Sequence, residues 1–167
     1  MKKVVLLLFA LVIFTSCEKD DICDPTTSTT PRLIIEFYNA ANPTVLRNVV
    51  NLKVTGVGQM DPLQTFNATN TIELPLKTTE DVTTYSFIYN SLDPINRNED
   101  FFEINYSREN VYVSRACGFK SVFTLRDTEP IVVTDNAALP DGNWIQNVIV
   151  QTNLVENENI THVKIYF

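Results

Sequence analysis

The chain has 167 residues, 44% of them hydrophobic and 20% charged, and its 13 Lys and Arg against 20 Asp and Glu give a net charge of −7. That balance opposes binding to nucleic acid or anionic headgroups, and no basic cluster overturns it. The length suits one domain and leaves little room for a second.

At the N-terminus, Lys2 and Lys3 precede an unbroken apolar run from Val4 to Phe14, then a small polar pair, Thr15 and Ser16, before Cys17. This three-zone pattern predicts a cleaved signal peptide over residues 1–16. The run is too short for a membrane span, which needs roughly 20 residues of helix, and no later segment is as apolar. Phe14-Thr15-Ser16-Cys17 resembles the lipobox of bacterial lipoproteins, although Phe14 is bulkier than the usual Leu. The resemblance implies that the Cys17 thiol is lipidated and the chain is cut before it. The rival is an ordinary signal peptide with a chance cysteine. A buried methylene contributes about 0.8 kcal/mol and a single chain anchors only reversibly, so several chains on Cys17 would hold the membrane firmly. Glu18-Lys19-Asp20-Asp21 looks like the signal that sends Bacteroidota lipoproteins to the outer face of the outer membrane. The alternative is a solvated acidic tether with the domain facing the periplasm. Of the 13 basic residues the signal removes Lys2 and Lys3, so 11 then stand against 20 acids, a mature balance of −9.

Residues 17–31 are polar, with Thr26-Thr27-Ser28-Thr29-Thr30 between Pro25 and Pro31, and read as a lipidated flexible tether. The folded domain is expected over 32–167. Two thiols remain, Cys23 and Cys117, and an oxidising compartment predicts a disulfide between them. It would close a loop of roughly 94 residues and constrain the unfolded chain by nearly 5 kcal/mol in the chain-entropy model. A metal or redox pair is the rival, disfavoured by a single histidine and no CxxC spacing.

From residue 32, apolar and β-branched runs of five to nine residues alternate with Asn, Asp, Pro or Gly. They predict strands at 32–38, 46–54, 71–77, 84–90, 101–106, 110–116, 120–125, 130–134, 144–152 and 160–167. Leu46, Val50, Leu52 and Val54 share one face of the second run, and Ile72, Leu74 and Leu76 one face of the third. Pro75 removes a ladder donor and places its strand at an edge or a bulge. No segment keeps a helical period. The expectation is all-β: a single antiparallel β-sandwich of about nine to ten strands, Ig-like or transthyretin-like. A transmembrane barrel ending on Phe167 is the alternative, disfavoured by short runs with charges mid-face.

Catalytic chemistry is sparse. His162 is the only histidine and shares a strand face with Lys164, which predicts a solvent-facing side chain. The GxSxG, HExxH and GxxxxGK[ST] patterns are absent, and Gly56-Val57-Gly58 reads as a turn. Asp135 and Asp141-Gly142-Asn143 read as loop and turn chemistry, with incidental calcium as the rival, because the alternating ligand spacing of a calcium loop is missing. A carboxylate-based hydrolase is the least favoured reading. Neither a resident metal nor a cofactor is expected. Tyr85, Phe87 and Tyr89 share a strand face, and Tyr106 and Tyr112 follow, so an aromatic ladder could stack a glycan or anchor a partner protein. Core packing is the alternative, above all for Phe87, with the flanking tyrosines at a rim.

The segment Asn105-Tyr106-Ser107-Arg108-Glu109-Asn110-Val111-Tyr112-Val113-Ser114-Arg115-Ala116-Cys117-Gly118-Phe119-Lys120, with Cys17 and Cys23, resembles a family of small uncharacterised Bacteroidota lipoproteins, and Ala116-Cys117-Gly118-Phe119 is its compact element. The resemblance implies an outer-membrane address and no particular activity. Gly118 beside the disulfide fits a tight or left-handed corner. Arg108 and Arg115 are candidates to hold an acidic loop or a partner carboxylate, against plain solvation. The functional expectation is a non-enzymatic, lipid-anchored accessory or binding subunit, displayed at the cell surface and docked on an outer-membrane barrel complex. A glycan-binding module is the alternative.

Overall fold

A computed structural model describes residues 22–167; the expected signal peptide, Cys17 and Glu18–Asp21 lie outside them. In chain order the strands are β1 (Leu33–Asn39), β2 (Asn42–Leu46), β3 (Leu52–Gly56), β4 (Gln64–Phe66), β5 (Thr71–Leu74), β6 (Val82–Tyr89), β7 (Asn98–Ser114), β8 (Gly118–Leu125), β9 (Ile131–Asp135), β10 (Asn147–Val150), β11 (Leu154–Val155) and β12 (Val163–Tyr166).

They form two sheets. The first runs β10-β12-β1-β2, with β5 also on β1, and the second runs β11-β8-β7-β6-β3-β4, with β9 also on β7. Pairing is antiparallel except where β12 runs parallel to β1, Ile35 opposite Val163. Alternate side chains face inward from both sheets, as period-two strands require. Leu33, Ile35, Phe37, Ile72, Leu74, Val163 and Ile165 from one sheet belong to the same buried cluster as Leu52, Val54, Phe87, Phe102, Ile104, Phe123 and Leu125 from the other. Each such side chain contributes about 1.5 to 3 kcal/mol. The Phe87 and Phe102 rings stack at 5.0 Å in the middle.

The run 46–54 is not one strand. The chain leaves the first sheet after Leu46 and enters the second at Leu52, turning through a left-handed Asn51 (φ 46°). The change of sheet breaks the alternation, so Leu46 and Val50 are exposed while Val49 is buried. Nor is there a turn between 106 and 110. Ser107–Asn110 continue β7 because β8 pairs with them there, Ser107 opposite Thr124 and Asn110 opposite Ser121. β2 before Leu46, β4 and β11 escaped prediction because none carries an alternating apolar run. β5 stops at Leu74, directly before Pro75.

Residues 22–31, expected to be a free tether, are fastened instead. Thr30 Oγ1 accepts the Ser121 N–H at 3.0 Å, Lys120 Nζ donates to Ser28 Oγ at 3.0 Å, and Cys23 is bonded to Cys117. The hydroxyl-rich composition that suits a flexible linker also supplies ligands for a strand edge.

His162 is buried, not solvent-facing. It precedes the first residue of β12, and its Nδ1 accepts the Ile34 N–H at 2.9 Å, which requires the neutral ring. Burial pushes the imidazole below its ordinary value near 6.5, with the Asn157 backbone and Glu158 opposing. The unfolded chain therefore takes up this proton at a higher pH than the folded one. The stability it supplies is complete above about pH 6.5 and is lost as pH falls from there toward the folded value. Melting curves of the wild type and His162→Gln, which keeps an acceptor, should converge between about pH 7 and 5. A constant difference across that range would contradict a neutral buried ring.

Candidate functional site

β7 outruns its neighbours. Its first half pairs with β6 as far as Asn105, opposite Val82. Its other edge is covered by β9 and then β8. The Tyr106 N–H still reaches Asp81 O at 3.1 Å. Past that point no described strand lies on the β6 side; β11 still flanks the far edge of β8 at Phe123 and Thr124, and beyond it β7 and β8 continue as a two-stranded arm. Main-chain groups of alternate residues point to the same edge. Those of Arg108, Asn110 and Tyr112 therefore line an edge with no strand partner among the described residues.

The arm turns at Ser114 opposite Gly118. The Cys117 N–H donates to Ser114 Oγ at 3.0 Å, and Gly118 takes a left-handed φ of 70°, the corner its sequence context implied. The Cys23–Cys117 disulfide sits at this turn with the Cα atoms 4.9 Å apart. Tyr112 and Phe119 face each other across the arm with ring centroids 5.4 Å apart, and are 59% and 68% exposed. Beside them, Ile22, Asp24, Tyr112 and Arg115 line an open cleft of about 440 Å³. A base of covalent and main-chain constraints thus presents an exposed aromatic pair next to a cation.

The other expected binding residues lie elsewhere. Tyr106 is fully buried: its hydroxyl donates to Lys77 O at 2.9 Å and lies 2.6 Å from Thr83 Oγ1. Tyr85 is buried with its hydroxyl on Pro75 O, and burial pushes its phenol above the usual range. Tyr89 packs on Trp144 and Phe167, at 5.2 and 5.5 Å between ring centroids. The ladder on β6 is therefore core and not a stacking platform, because its face turns toward the first sheet. Only Tyr112 of the four tyrosines stays available. Arg108 holds the β5–β6 connection, with Nε on Asp81 Oδ1 at 2.7 Å and a second donor on Thr78 O. It braces the base of the arm, whereas Arg115 at the tip has no ion pair among the described residues.

A second constellation lies at the opposite end of β7. Asp100 and Asp135 are cross-strand partners, and Asn98 lies two residues before Asp100 on the same face. The loop through Gly142 closes over them: Ile145 N donates to Asp100 Oδ2 and Gly142 N to Asp135 Oδ2, each at 2.9 Å, while Asn98 Nδ2 donates to Gly142 O at 2.6 Å. Burial pushes the Asp100 carboxyl up to about 6; the Ile145 and Trp144 N–H groups oppose the rise, and Asp135 and Asp141 add to it.

Residues 51–167 match a family described as a family of unknown function, DUF6452. The chain belongs to DUF6452. No curated protein and no solved structure matches it. The DUF6452 stretch takes in β3 to β12, hence the whole arm and the Asn98, Asp100 and Asp135 cluster, but not Cys23, Ser28 or Thr30. Sequence reasoning missed both the arm's open edge and this cluster. Residues 107–110 look like any polar turn, and Asn98 and Asp100 carry no signal until the fold sets them against Asp135.

Proposed function

We propose that this DUF6452 protein is a non-enzymatic lipoprotein, anchored through Cys17 and displayed on the outer face of an outer membrane, whose β7–β8 arm docks onto an integral outer-membrane barrel complex. The observation that carries the reading is the arm itself: an unpartnered strand edge that ends in the exposed Tyr112 and Phe119 pair. Strand edges accept another strand by main-chain hydrogen bonds, and aromatic side chains beside such an edge supply affinity and choice of partner. Position supports it as well. Five residues lie between Cys17 and Cys23, six Cα steps with a reach of at most roughly 20 Å. The disulfide at the arm's turn then keeps the tip close to a membrane that holds the lipid. A glycan-binding reading would rest on Tyr112 with Phe119, since Tyr85 and Tyr106 are enclosed.

The test is purification of a tagged full-length protein in mild detergent, with mass spectrometry of what accompanies it. A specific outer-membrane protein should co-purify with the wild type. Asn110→Pro removes one outward main-chain donor and the side-chain acceptor of Ser121 Oγ while leaving the main-chain ladder to β8 in place, and Tyr112→Ala with Phe119→Ala removes the aromatic pair. Each should lower recovery of that protein at least tenfold while the melting temperature stays close to wild type. Recovery of the protein alone, or equal recovery from the variants, would sink the docking reading. Protease shaving of intact cells should remove the domain; protection would place it on the periplasmic face.

A further inference from the structure

Every polar atom in the cluster at the start of β7 has been accounted for except three. Asn98 Oδ1, Asp100 Oδ1 and Asp135 Oδ1 are each buried and have no hydrogen-bond partner. Asp100 is completely enclosed as a residue. All three atoms belong to neighbouring positions on β7 and β9, and the other polar atoms of the three side chains are held in place by the loop at Gly142 and Ile145. The second oxygen of each carboxylate and the amide nitrogen of Asn98 are thus committed to the backbone, which fixes the direction of the remaining oxygens.

Buried carboxylates are ordinarily paired with a cation or ligate one. The ion pairs of the described residues lie elsewhere: Arg32 with Glu73 and Glu158, Lys77 with Glu80, and Arg108 with Asp81. No Lys or Arg balances Asp100 and Asp135. A proton shared between the two carboxylates could serve one pair of oxygens. It would leave the amide oxygen of Asn98, an acceptor only, without a donor. A divalent cation would satisfy all three and neutralise two carboxylates at once. Three His, Cys, Asp or Glu side chains do not converge anywhere among the described residues; here the third oxygen comes from an amide, which is an ordinary ligand for hard cations. The donor set is oxygen only, which excludes the thiolate and imidazole preferences of zinc and copper.

We propose that Asn98, Asp100 and Asp135 form a calcium-binding site that fastens the Gly142 loop to β7 and β9. Three protein oxygens are fewer than the six to eight that calcium takes, so the rest of the shell comes from water admitted past the exposed Gly142 loop, and binding is weak, with Kd roughly 10⁻⁴ to 10⁻³ M as in extracellular modules. Magnesium, which prefers strict octahedral geometry and keeps its water, binds less well. Gly142 matters to the geometry. Its φ of 85° lets one residue present its N–H to Asp135 and its carbonyl to Asn98, a conformation that a side chain would strain.

The experiment uses the full-length protein in detergent, stripped with EDTA and returned to CaCl2 or MgCl2. At 10 mM CaCl2 the melting temperature should rise by roughly 3 to 7 °C. The rise from MgCl2 should be smaller, and calcium should protect the Gly142 loop from limited proteolysis. Asp135→Asn should abolish both responses. Asn98→Ala, which alters the first residue of β7 and leaves both carboxylates, should reduce them if Asp135→Asn fails to fold. The exposed acid variant Asp61→Asn should respond like the wild type. No calcium-dependent shift in the wild type would overturn the site. So would a shift of equal size with magnesium, or one retained in both Asp135→Asn and Asn98→Ala.

Discussion

Changing Cys23 and Cys117 together to Ser should lower the melting temperature by roughly 10 to 20 °C. The bond joins positions separated by 94 residues, and in the chain-entropy model a loop of that length constrains the unfolded ensemble by between 4 and 5 kcal/mol, roughly 2 to 4 °C per kcal/mol for a domain of this size. The measurement is a thermal melt of the double variant beside the wild type with and without reductant, the last two differing by the same amount. A drop under about 3 °C would mean that the hydrogen bonds of Ser28 and Thr30 already fix the segment without the bond. Loss of the disulfide should also separate stability from docking. Freed of Cys117, residues 22–27 would lose their covalent hold on the arm tip, and the proposed anchor would be tied to it only through the Ser28 and Thr30 hydrogen bonds, although the β7–β8 ladder itself stays intact.

Tyr106→Ala should cost about 3 to 5 kcal/mol, the range for removing a large aromatic from a packed core. The ring meets Phe123 edge-on at 5.2 Å, and its hydroxyl closes a short network with Thr83 and the carbonyl of Lys77. Tyr106→Phe keeps the packing and should cost about 1 to 3 kcal/mol, because the Lys77 carbonyl loses a donor in a buried place. Tyr112→Ala is the comparison. Its ring is mostly exposed, and the change should stay within about 0.5 kcal/mol of wild type. Chemical denaturation of the three variants would show whether the two tyrosines divide as core and surface. Similar losses at both positions would contradict an arm whose tip is free to bind.

These two residues also show where sequence reading stopped. Tyr106 and Tyr112 lie on the same strand at even spacing, so alternation assigns them to one face. Only the fold reveals that the Tyr106 ring is enclosed by Phe123, Thr83 and the Lys77 carbonyl while the Tyr112 ring is open to solvent. His162 fails for a related reason. Its neighbours imply an exposed position beside Lys164, yet the parallel pairing of β12 with β1 brings it against the Ile34 N–H, which needs an acceptor. The Cys23–Cys117 bond was legible because it follows from counting thiols once export is expected, without knowledge of geometry.

What the sequence determined by itself is the set of properties carried by composition and local period: an all-β sandwich, inward-facing Ile72, Leu74, Leu76 and Phe87, a disulfide, and a glycine at the corner beside it. Local period also failed where strands change sheet, at Leu46 to Leu52, and where a polar stretch is held in a ladder by its neighbour, at Ser107 to Asn110. Tertiary structure alone decided which tyrosine is available and which edge is unpaired, and it alone brought Asn98 and Asp100 onto Asp135. The reason is physical. Burial, an open edge and a cluster of oxygens are properties of what lies across from a residue, and in antiparallel sheets the residue across lies far away in the chain.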